Sequence, residues 1–341
     1  MNRHKLLLIN FLIGICTLTF AQNAPLEPYT LGPNTPENEL IKLRYAMETS
    51  NMKADQKRIL QKIADTGTFL GMMYASQFMD DDILKKDAAK AVATIALAHA
   101  DYNGAVTRRL LRKAQLLVSS KMRNKLQSYI SSSSEVGFVS LFNGRDLTGW
   151  KGLVQNPIKR AKMSYEELQQ AQVKADEVMR QDWKVVDGLL TYVGHGYDNI
   201  CTEAQYGDFE MYVDWALDPS GKEPDAGIYL RGTPQVQIWD TARVNVGAQV
   251  GSGGLYNNKQ YESKPSVVAD NKVGIWNSFF IRMLGDKVTV WLNGVKVVDG
   301  VTMENYWDRN QPIFPVEQIE LQAHGSKVYY RDIYIRRLDR K

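Results

Sequence analysis

Residues 227–231 have the sequence Gly-Ile-Tyr-Leu-Arg, in which apolar and polar side chains alternate. Successive side chains of a β-strand point to opposite faces, so Ile228 and Leu230 are expected on one face and Tyr229 and Arg231 on the other. The same alternation recurs in residues 209–215, 235–239 and 319–324. Strands with one apolar face each predict a mainly β protein, an antiparallel sandwich of two sheets or a jelly roll.

Similar short runs extend this β-rich region over residues 137–339, with turn sequences between them. Asp187-Gly188, Gly285-Asp286 and Asn293-Gly294 favour tight turns. The predicted strands are residues 138–142, 183–186, 189–193, 209–217, 227–231, 236–239, 278–284, 287–292, 295–299, 319–323 and 328–338. A polar, helix-forming stretch interrupts the pattern and predicts a helical insertion at residues 156–181.

Residues 37–133 have helical rather than strand periodicity. Apolar side chains recur three and four positions apart, as at Leu60, Ile63 and Ala64, and predict four or five helices. One segment resembles a HEAT-type helical pair, and a polar run at residues 131–134 ends the region. The apolar stripes are expected to pack against each other. We therefore predict a small all-α accessory domain, with a possible protein partner, that the β-rich domain does not need for activity.

Residues 1–21 have the features of a secretory signal peptide. Arg3 and Lys5 precede a short apolar run, and small residues precede a cleavage site after residue 21. Lipidation of Cys16 is the alternative, but the residue before it is larger than a lipobox has there. We therefore expect cleavage, a proline-rich linker at residues 22–36, and a periplasmic or secreted protein without a membrane span.

The composition is that of a globular protein. The chain has 341 residues, of which 44% are hydrophobic and 23% charged, and this excludes a wholly disordered or collagen-like chain. The 42 Lys and Arg residues are nearly balanced by 38 Asp and Glu residues. Because the two signs are evenly mixed rather than clustered, the chain is not expected to bind nucleic acid.

The polar faces of the predicted strands contain side chains that suit sugars. Sheet faces that only contact water are usually rich in Lys, Thr and Ser, whereas these contain Arg, Gln, Glu, His, Tyr and Trp. Such groups hydrogen-bond hydroxyls and stack on sugar rings. A solvated outer face is the alternative to a concave binding face. The glycine-rich residues 247–256, with Tyr256 as an aromatic wall, are predicted to form a lid over that face or a flexible hairpin.

His324 lies at the edge of this polar face, at the end of a predicted strand that also presents Glu320 and Gln322. A neutral imidazole can accept a proton from carbon or bind a metal. The sequence has no metal-binding motif, although Glu320 and His324 could share a divalent cation with oxygen ligands from other strands. Cys201, the only cysteine left after cleavage, is expected to be structural.

Seven ordered motifs in the β-rich region resemble one known family. They are Leu141-Phe142-Asn143-Gly144-Arg145-Asp146-Leu147 with Gly149-Trp150, Asp208-Phe209-Glu210, Ala226-Gly227-Ile228-Tyr229-Leu230-Arg231-Gly232, Gln237-Ile238-Trp239-Asp240, Trp276-Asn277, Leu292-Asn293-Gly294 and Leu321-Gln322-Ala323-His324-Gly325. The family is that of the 3-keto-disaccharide hydrolases, also described as 3-keto-glucoside-1,2-lyase/3-keto-2-hydroxyglucal hydratase domains. The resemblance covers residues 137–339 and implies a concanavalin-like jelly roll, but it does not extend to residues 22–130.

The resemblance implies a carbohydrate enzyme that acts on glycosides whose C3 hydroxyl has been oxidised to a ketone. The ketone acidifies the C2 proton, so a base can remove it, the glycosidic oxygen leaves by β-elimination, and water can add to the 2-hydroxyglucal. The implied catalytic residues are His324 as base, Arg231 as enolate stabiliser, and Glu320 or Asp240 as acid or metal ligand. The implied substrate-binding residues are Gln235, Gln237 and Gln322 for hydroxyls and Tyr229, Trp239 and Tyr256 for the rings. A divalent cation is a possible cofactor in place of Arg231.

Two alternative functions stay open on the sequence alone. A non-catalytic carbohydrate-binding module could have the same fold, since fold does not fix function. An ordinary glycoside hydrolase would need two well-placed carboxylates, and Gln235 stands where many members of the family have Glu. The three functions differ in what they turn over, because only the lyase requires an oxidised sugar.

Overall fold

The computed structural model of the chain describes residues 31–134 and 136–338. The predicted signal peptide, Cys16 and most of the predicted linker lie outside these residues. The described end of the linker contacts the β-rich part, because Gly32 N–H donates to Asn271 Oδ1 at 2.7 Å and the Thr35 hydroxyl donates to the carbonyl of Asn293 at 2.7 Å. No helix in the described ranges is both long and apolar enough to cross a lipid bilayer.

Six α-helices form the N-terminal part of the described chain, more than the four or five that the periodicity predicts. They are α1 (Pro36–Thr49), α2 (Lys53–Thr66), α3 (Phe69–Ser76), α4 (Lys85–Ala98), α5 (Ala105–Gln115) and α6 (Ser120–Ser132). The Thr35 side chain caps α1 by accepting from Asn38 N–H, and Pro36 occupies its first turn. Gly67, at φ 65°, ends α2, and Thr68 caps α3, so these two helices meet at a tight turn.

The remainder of the described chain is a sandwich of two sheets, which confirms the predicted fold class. The strands are β1 (Val139–Ser140), β2 (Trp150–Gly152), β3 (Trp183–Val186), β4 (Leu189–Tyr192), β5 (Ile200–Thr202), β6 (Phe209–Leu217), β7 (Asp225–Leu230), β8 (Thr233–Trp239), β9 (Asn277–Leu284), β10 (Lys287–Leu292), β11 (Val295–Thr302), β12 (Glu320–Leu321) and β13 (Val328–Arg337). The larger sheet has the order β11-β10-β9-β6-β13-β4-β3, with β1 beside the far end of β13, and the smaller sheet has the order β2-β5-β12-β7-β8. All pairs are antiparallel.

The helical insertion forms between β2 and β3 as two helices, α7 (Pro157–Arg160) and α8 (Tyr165–Asp182). Ser164 and Glu167 form a reciprocal capping box that starts α8. Helix α8 then packs over β2, where the Asp176 carboxylate accepts from Gly152 N–H at 2.9 Å. The insertion therefore packs along the β2 edge of the smaller sheet.

The apolar side chains of the alternating strands fill the space between the two sheets. Met211 and Val213 of β6, Ile228 of β7 and Leu321 of β12 are fully buried there. The alternation predicts this inward set correctly, because each strand has one face that only a hydrophobic core can cover. The opposite faces of the two sheets have different surroundings, and this difference decides where the site lies.

The outward face of the larger sheet is covered by the helices, which corrects two expectations. The polar set of β6 lies on this face and not on a binding surface. Phe69 of α3 stacks on Tyr212 of β6 with ring centroids 5.2 Å apart and meets Tyr334 of β13 edge-on at 5.4 Å. The apolar surface of the helical part is therefore shared with the sheet instead of being used only for its own packing.

A buried ion-pair network joins the same two layers. Arg44 of α1 hydrogen-bonds the carboxylate of Asp332 and lies 3.6 Å from the carboxylate of Asp214 on β6. Arg331 also contacts Asp214, at 3.3 Å. These groups are almost fully buried, so each charge depends on the others for compensation. The helical part is thus anchored to the sandwich by charge as well as by aromatic packing.

Candidate functional site

The outer face of the smaller sheet contains a cleft of about 560 Å³. Its lining residues are Leu153, Val154, Gln155, Asn156, Ala171, Lys174, Ala175, Tyr197, Asp198, Asn199, Tyr229, Trp307, Glu320, Gln322, Ala323 and His324. Four of the sequence candidates, Tyr229, Glu320, Gln322 and His324, thus lie together in one cavity. A cleft of this size is typical of a small-molecule site.

Strand register explains why these side chains meet. Glu320 of β12 lies opposite Tyr229 of β7, and Gln322 N–H donates to the carbonyl of Gly227 at 2.9 Å, so the two chains stay paired beyond Leu321. Glu320, Gln322 and His324 are two residues apart, and they therefore point to the same face. The polar row that the alternation predicts becomes the floor of the cleft.

The Glu320 carboxyl is almost completely buried, at 2% exposure. Burial raises its pKa to about 8, although Arg160 and a hydrogen bond from Asn199 act in the opposite direction. Asn199 also hydrogen-bonds Tyr229, whose pKa burial raises as well. Glu320 is therefore mostly protonated at neutral pH, and a protonated carboxyl in a cleft is suited to donate a proton.

His324 lies at the other end of the cleft floor. Its Nδ1 atom is buried and has no hydrogen-bond partner among the described residues, and the same holds for Gln322 Oε1. The ring of Tyr197 meets the imidazole edge-on at 5.8 Å between centroids. Buried polar atoms without partners are rare in folded proteins, and a bound water or ligand is one way to complete their hydrogen bonding.

Asp225, which the sequence analysis missed, does not line the cleft but interacts electrostatically with His324. Its carboxylate accepts from Gln237 Nε2 at 2.8 Å and from Trp239 Nε1 at 3.1 Å. Burial raises the pKa of Asp225, and the nearby His324 opposes that rise. The signal in the sequence is its position, since Asp225, Gly227 and Tyr229 alternate on one face of β7.

Lys174 and Asn199 were also missed, because they reach the cleft from other elements. Lys174 belongs to α8 of the insertion, and Asn199 directly precedes β5. Among the described residues that line the cleft, Lys174 is the only Lys or Arg. Nothing in the local sequence indicates that α8 lies against this face, so its cationic side chain could not be assigned to the site beforehand.

Arg231 does not lie in the cleft, and its predicted orientation is wrong. The strand β7 ends at Leu230, and Arg231 and Gly232 form the two-residue turn to β8, with φ values of 50° and 63°. The alternation of side chains stops where the turn begins. Arg231 is buried, and its guanidinium donates to the carbonyl of Gly207 and to the Asp208 carboxylate, both at 2.8 Å. It braces the turn against the segment that leads into β6.

Asp240 also lies outside the cleft lining, just beyond β8. Its carboxylate accepts from Ala242 N–H at 3.0 Å and stabilises a turn.

The two glutamines of β8 are buried and bonded to each other, since Gln235 Nε2 donates to Gln237 Oε1 at 2.5 Å. Gln235 and Gln237 therefore support Asp225 instead of presenting free amides to a sugar.

The glycine-rich loop is attached to the edge of the smaller sheet and does not form a lid. Gly253 N–H donates to the carbonyl of Gln237 at 2.8 Å, and Gln237 N–H donates to the carbonyl of Gly254 at 3.0 Å. The following residue, Leu255, bridges to β8 and is buried. Trp239 and Tyr256 stand at this edge with ring centroids 5.1 Å apart, beside the cleft rather than inside it.

The described residues contain no cluster of three or more His, Cys, Asp and Glu side chains that could hold a metal ion. Glu320 and His324 both line the cleft, but the donor set expected for a protein-held divalent cation is not completed by the residues around them. Cys201 of β5 is buried and lies directly opposite Glu320 of β12, and burial raises the pKa of its thiol to about 12.

Residues 137–336 match the family of 3-keto-alpha-glucoside-1,2-lyase-like domains. The chain belongs to this family. The match covers more than half of the chain and coincides with the sandwich, so the resemblance seen in the motifs is confirmed. The family match shows a carbohydrate-active domain.

Several solved structures are similar to the sandwich. A presumptive glycosyl hydrolase from Parabacteroides distasonis ATCC 8503 is 23% identical, with a TM-score of 0.43 over 60% of this chain and 95% of that one. A carbohydrate-binding module from Bacillus subtilis is 11% identical, with a TM-score of 0.33 over 55% of this chain and 96% of that one. These likenesses concern the fold alone. No curated protein matches the chain.

Proposed function

We propose that this chain is an extracytoplasmic lyase and hydratase that cleaves 3-keto-glycosides by β-elimination. The observation that carries the proposal is the placement of a buried carboxyl, Glu320, and an imidazole, His324, in the lining of one cleft. Glu320 is the proton donor and His324 the proton acceptor. This acid–base pair is sufficient for cleavage when the substrate has a ketone at C3, because the ketone acidifies the neighbouring C2–H bond.

Glu320, Gln322 and His324 line the cleft at two-residue intervals along one segment of the chain. Gln322 lies between the other two in sequence and lines the same cleft, where its amide would hydrogen-bond a sugar hydroxyl.

In the first step His324 removes the C2 proton, and the electron pair moves towards C3 to give an enolate. Asp225, which interacts electrostatically with His324, stabilises the imidazolium that forms. The developing negative charge on the C3 oxygen needs a cation or donor. Lys174 on the opposite wall takes this role in place of Arg231, which the turn holds outside the cleft.

In the second step the enolate re-forms the ketone, the C1–O bond breaks and Glu320 protonates the departing oxygen. The product in the cleft is a 3-keto-2-hydroxyglucal. For hydration the roles reverse: the Glu320 carboxylate takes a proton from the water that adds to C1, and the His324 imidazolium returns a proton to C2. Both residues end in their starting protonation states, so the cycle is balanced.

The direct test compares substrates on the purified full-length protein. We expect turnover of methyl and 4-nitrophenyl 3-keto-α-glucosides and no turnover of the same glucosides with an intact C3 hydroxyl. Binding of the oxidised sugars without any turnover would show a carbohydrate-binding module instead. Cleavage of the unoxidised glucosides at a similar rate would show an ordinary glycoside hydrolase.

A further inference from the structure

Trp307 lines the cleft but has no part in the acid–base steps. It belongs to the segment between β11 and β12, and its side chain is half-buried. The indole Nε1–H donates to the carbonyl of Gly232 at 2.6 Å. A tryptophan in a cleft offers a ligand a large apolar surface, while its polar edge is satisfied by the protein.

Trp307 is anchored at the Glu320 end of the cleft. Gly232, which accepts the indole hydrogen bond, donates its own N–H to the carbonyl of Gln318 at 3.1 Å. Gln318 precedes Glu320 in the sequence, whereas His324 follows it. Along the smaller sheet, Glu320 therefore lies between the anchor of Trp307 and His324.

Tyr306 adds a second aromatic ring at the same end. Its ring meets that of Trp307 edge-on, with centroids 4.9 Å apart, and its side chain is 42% exposed. Burial raises the pKa of Tyr229, and the nearby Glu320 and Tyr306 add to this rise. Since Tyr229 lies opposite Glu320, Tyr306 and Trp307 both stand close to the proton donor.

The segment that carries the two rings is fixed by its own hydrogen bonds. The side-chain oxygen of Asn305, a buried residue, accepts from the N–H groups of Trp307 and Asp308 at 3.0 and 3.1 Å. The amide nitrogen of Asn305 donates to the carbonyl of Pro312 at 2.9 Å. A ring that is held in place before binding loses little conformational freedom when a ligand packs against it.

Helix α7 also begins close to Gly232. A Cβ atom on Gly232 would lie 2.6 Å from Cγ of Pro157, the first residue of α7, and the preceding Asn156 lines the cleft. The side-chain oxygen of Asn156 accepts from Lys159 N–H at 2.9 Å, so its amide nitrogen is the atom that can donate to a ligand. This end of the cleft thus combines an aromatic surface with a hydrogen-bond donor.

The cleft has room for more than one ring. A cavity of about 150 Å³ already holds a benzene molecule, and the cleft measures about 560 Å³. In the proposed function Glu320 protonates the departing oxygen, so the leaving group must lie next to Glu320. The side of Glu320 that faces away from His324 is the side where Trp307 is anchored.

We propose that Trp307 is a specificity residue that packs against a ring in the leaving group of the substrate. The inference rests on the proposed function for the position of that leaving group. Tyr306 extends the same surface towards solvent. A leaving group without a ring, such as methanol, is too small to gain from this contact.

The test compares Trp307→Leu with Trp291→Leu. Trp291 of β10 is a matched control, because it is also half-buried but belongs to the larger sheet and does not line the cleft. The substrates are methyl 3-keto-α-glucoside, 4-nitrophenyl 3-keto-α-glucoside and maltose oxidised at C3 of its non-reducing ring (3-keto-maltose).

We expect Trp307→Leu to lower kcat/KM about 5- to 10-fold for one or both ring-bearing leaving groups, the range for loss of an aromatic contact. The methyl glycoside should stay within about 2-fold, and Trp291→Leu should affect none of the substrates. A loss confined to 3-keto-maltose identifies a sugar as the bound ring, and a loss confined to the aryl glycoside identifies an aromatic group. Equal loss on the methyl glycoside, or no loss on either ring-bearing substrate, would overturn the proposal.

Trp307→Phe separates the ring contact from the hydrogen bond to Gly232. Phe keeps an aromatic surface but lacks the Nε1 donor, so its activity should stay within about 3-fold of the parent on every substrate. The same loss in Trp307→Phe as in Trp307→Leu would show that the indole only braces the turn at Gly232. If neither variant folds, Tyr306→Ala decides: at least about 2-fold loss on ring-bearing substrates alone is expected, and unchanged kcat/KM would overturn the proposal.

A binding measurement separates this proposal from the proposed function. If the protein turns over no 3-keto-glucoside, the lyase proposal fails, and 3-keto-maltose and the aryl glycoside can be titrated calorimetrically because they are not consumed. We expect the parent protein to bind at least one of them about 5-fold more tightly than Trp307→Leu does. Identical affinities of the two proteins, or no binding by the parent, would contradict the role of Trp307.

Discussion

Glu320 of β12 lies directly opposite Tyr229 of β7, and the side chain of Asn199 hydrogen-bonds both. Burial raises the pKa of each of the two acids, so both are protonated at neutral pH. A glycoside hydrolase instead pairs its protonated carboxyl with an ionised carboxylate across the sugar. The residue facing Glu320 in this site is a neutral phenol, and this arrangement suits proton donation to a leaving group better than attack on C1.

The first prediction concerns the pH dependence of kcat/KM. Glu320 must be protonated to act as the acid, and its pKa is raised to about 8, so activity should be present below that value and decline as the pH rises through it. Glu320→Gln should lower kcat by about 100-fold and remove this decline. Rates between pH 6 and 10 test this point. Asp198→Asn, which alters another acidic residue of the cleft lining, should keep the decline; a Glu320→Gln profile like that of the parent would exclude Glu320 as the acid.

The second prediction concerns the base. His324→Ala should lower kcat by at least about 100-fold, the lower end of the contribution of a general base. Its melting temperature should change little, because the side chain is only partly buried and Nδ1 makes no internal hydrogen bond. His195→Ala is the control, since His195 lies exposed in a loop. If folded His324→Ala protein kept near-normal turnover, another group would have to remove the proton.

The third prediction separates the two cations that were considered for the enolate. Arg231→Lys should lower the melting temperature, because an ammonium group cannot bond both the carbonyl of Gly207 and the carboxylate of Asp208 as the guanidinium does. Its kcat/KM should stay within about 3-fold of the parent value. Lys174→Met should show the reverse, with unchanged melting and at least about 10-fold lower kcat. A catalytic loss confined to Arg231→Lys would return the enolate role to Arg231.

The fourth prediction concerns the interface of the helices with the larger sheet. Arg44→Met leaves the buried carboxylates of Asp214 and Asp332 short of a partner, and it should destabilise the protein by about 3–5 kcal/mol. Arg58→Met, which removes an exposed pair with Asp55, should cost less than about 1 kcal/mol. Denaturant titrations of both variants measure the difference.

The same interface changes the expectation for the isolated β-rich domain. A fragment of residues 136–341 would expose Tyr212, Phe280 and Tyr334, which the helices now cover. We expect this fragment to be insoluble or to melt without cooperativity. A soluble, cooperatively folded and fully active fragment would show that the helical part is accessory after all.

The sequence predicted the sandwich and one row of the site because both follow from a two-residue period. Glu320, Gln322 and His324 lie on one strand and Tyr229 on its neighbour, so alternation alone assigns them to a common face. The same pattern could not distinguish the open face of β12 from the covered face of β6. The polar side chains of β6 resemble those of β12 in sequence, and only long-range packing places the helices over β6.

The residues that were misplaced or missed depend on turns and on distant segments. Arg231 continues the alternation of β7 in sequence, but the chain reverses there with a positive φ value. Lys174 and Asn199 reach the cleft from a helix and from the start of another strand. No local periodicity encodes either placement. Lys174 reaches the cleft because the insertion packs over β2, and Asn199 because β5 lies next to β12 in the smaller sheet.

The most direct test of the central claim is the fate of the hydrogen at C2 during turnover. When methyl 3-keto-α-glucoside is converted in D2O, elimination and hydration should place one solvent deuteron at C2 of the 3-keto-glucose product, detected by proton NMR. Product incubated without enzyme corrects for spontaneous exchange, and His324→Ala should abolish the incorporation together with the turnover. Turnover with complete retention of the original C2 hydrogen would contradict β-elimination and show direct hydrolysis at C1.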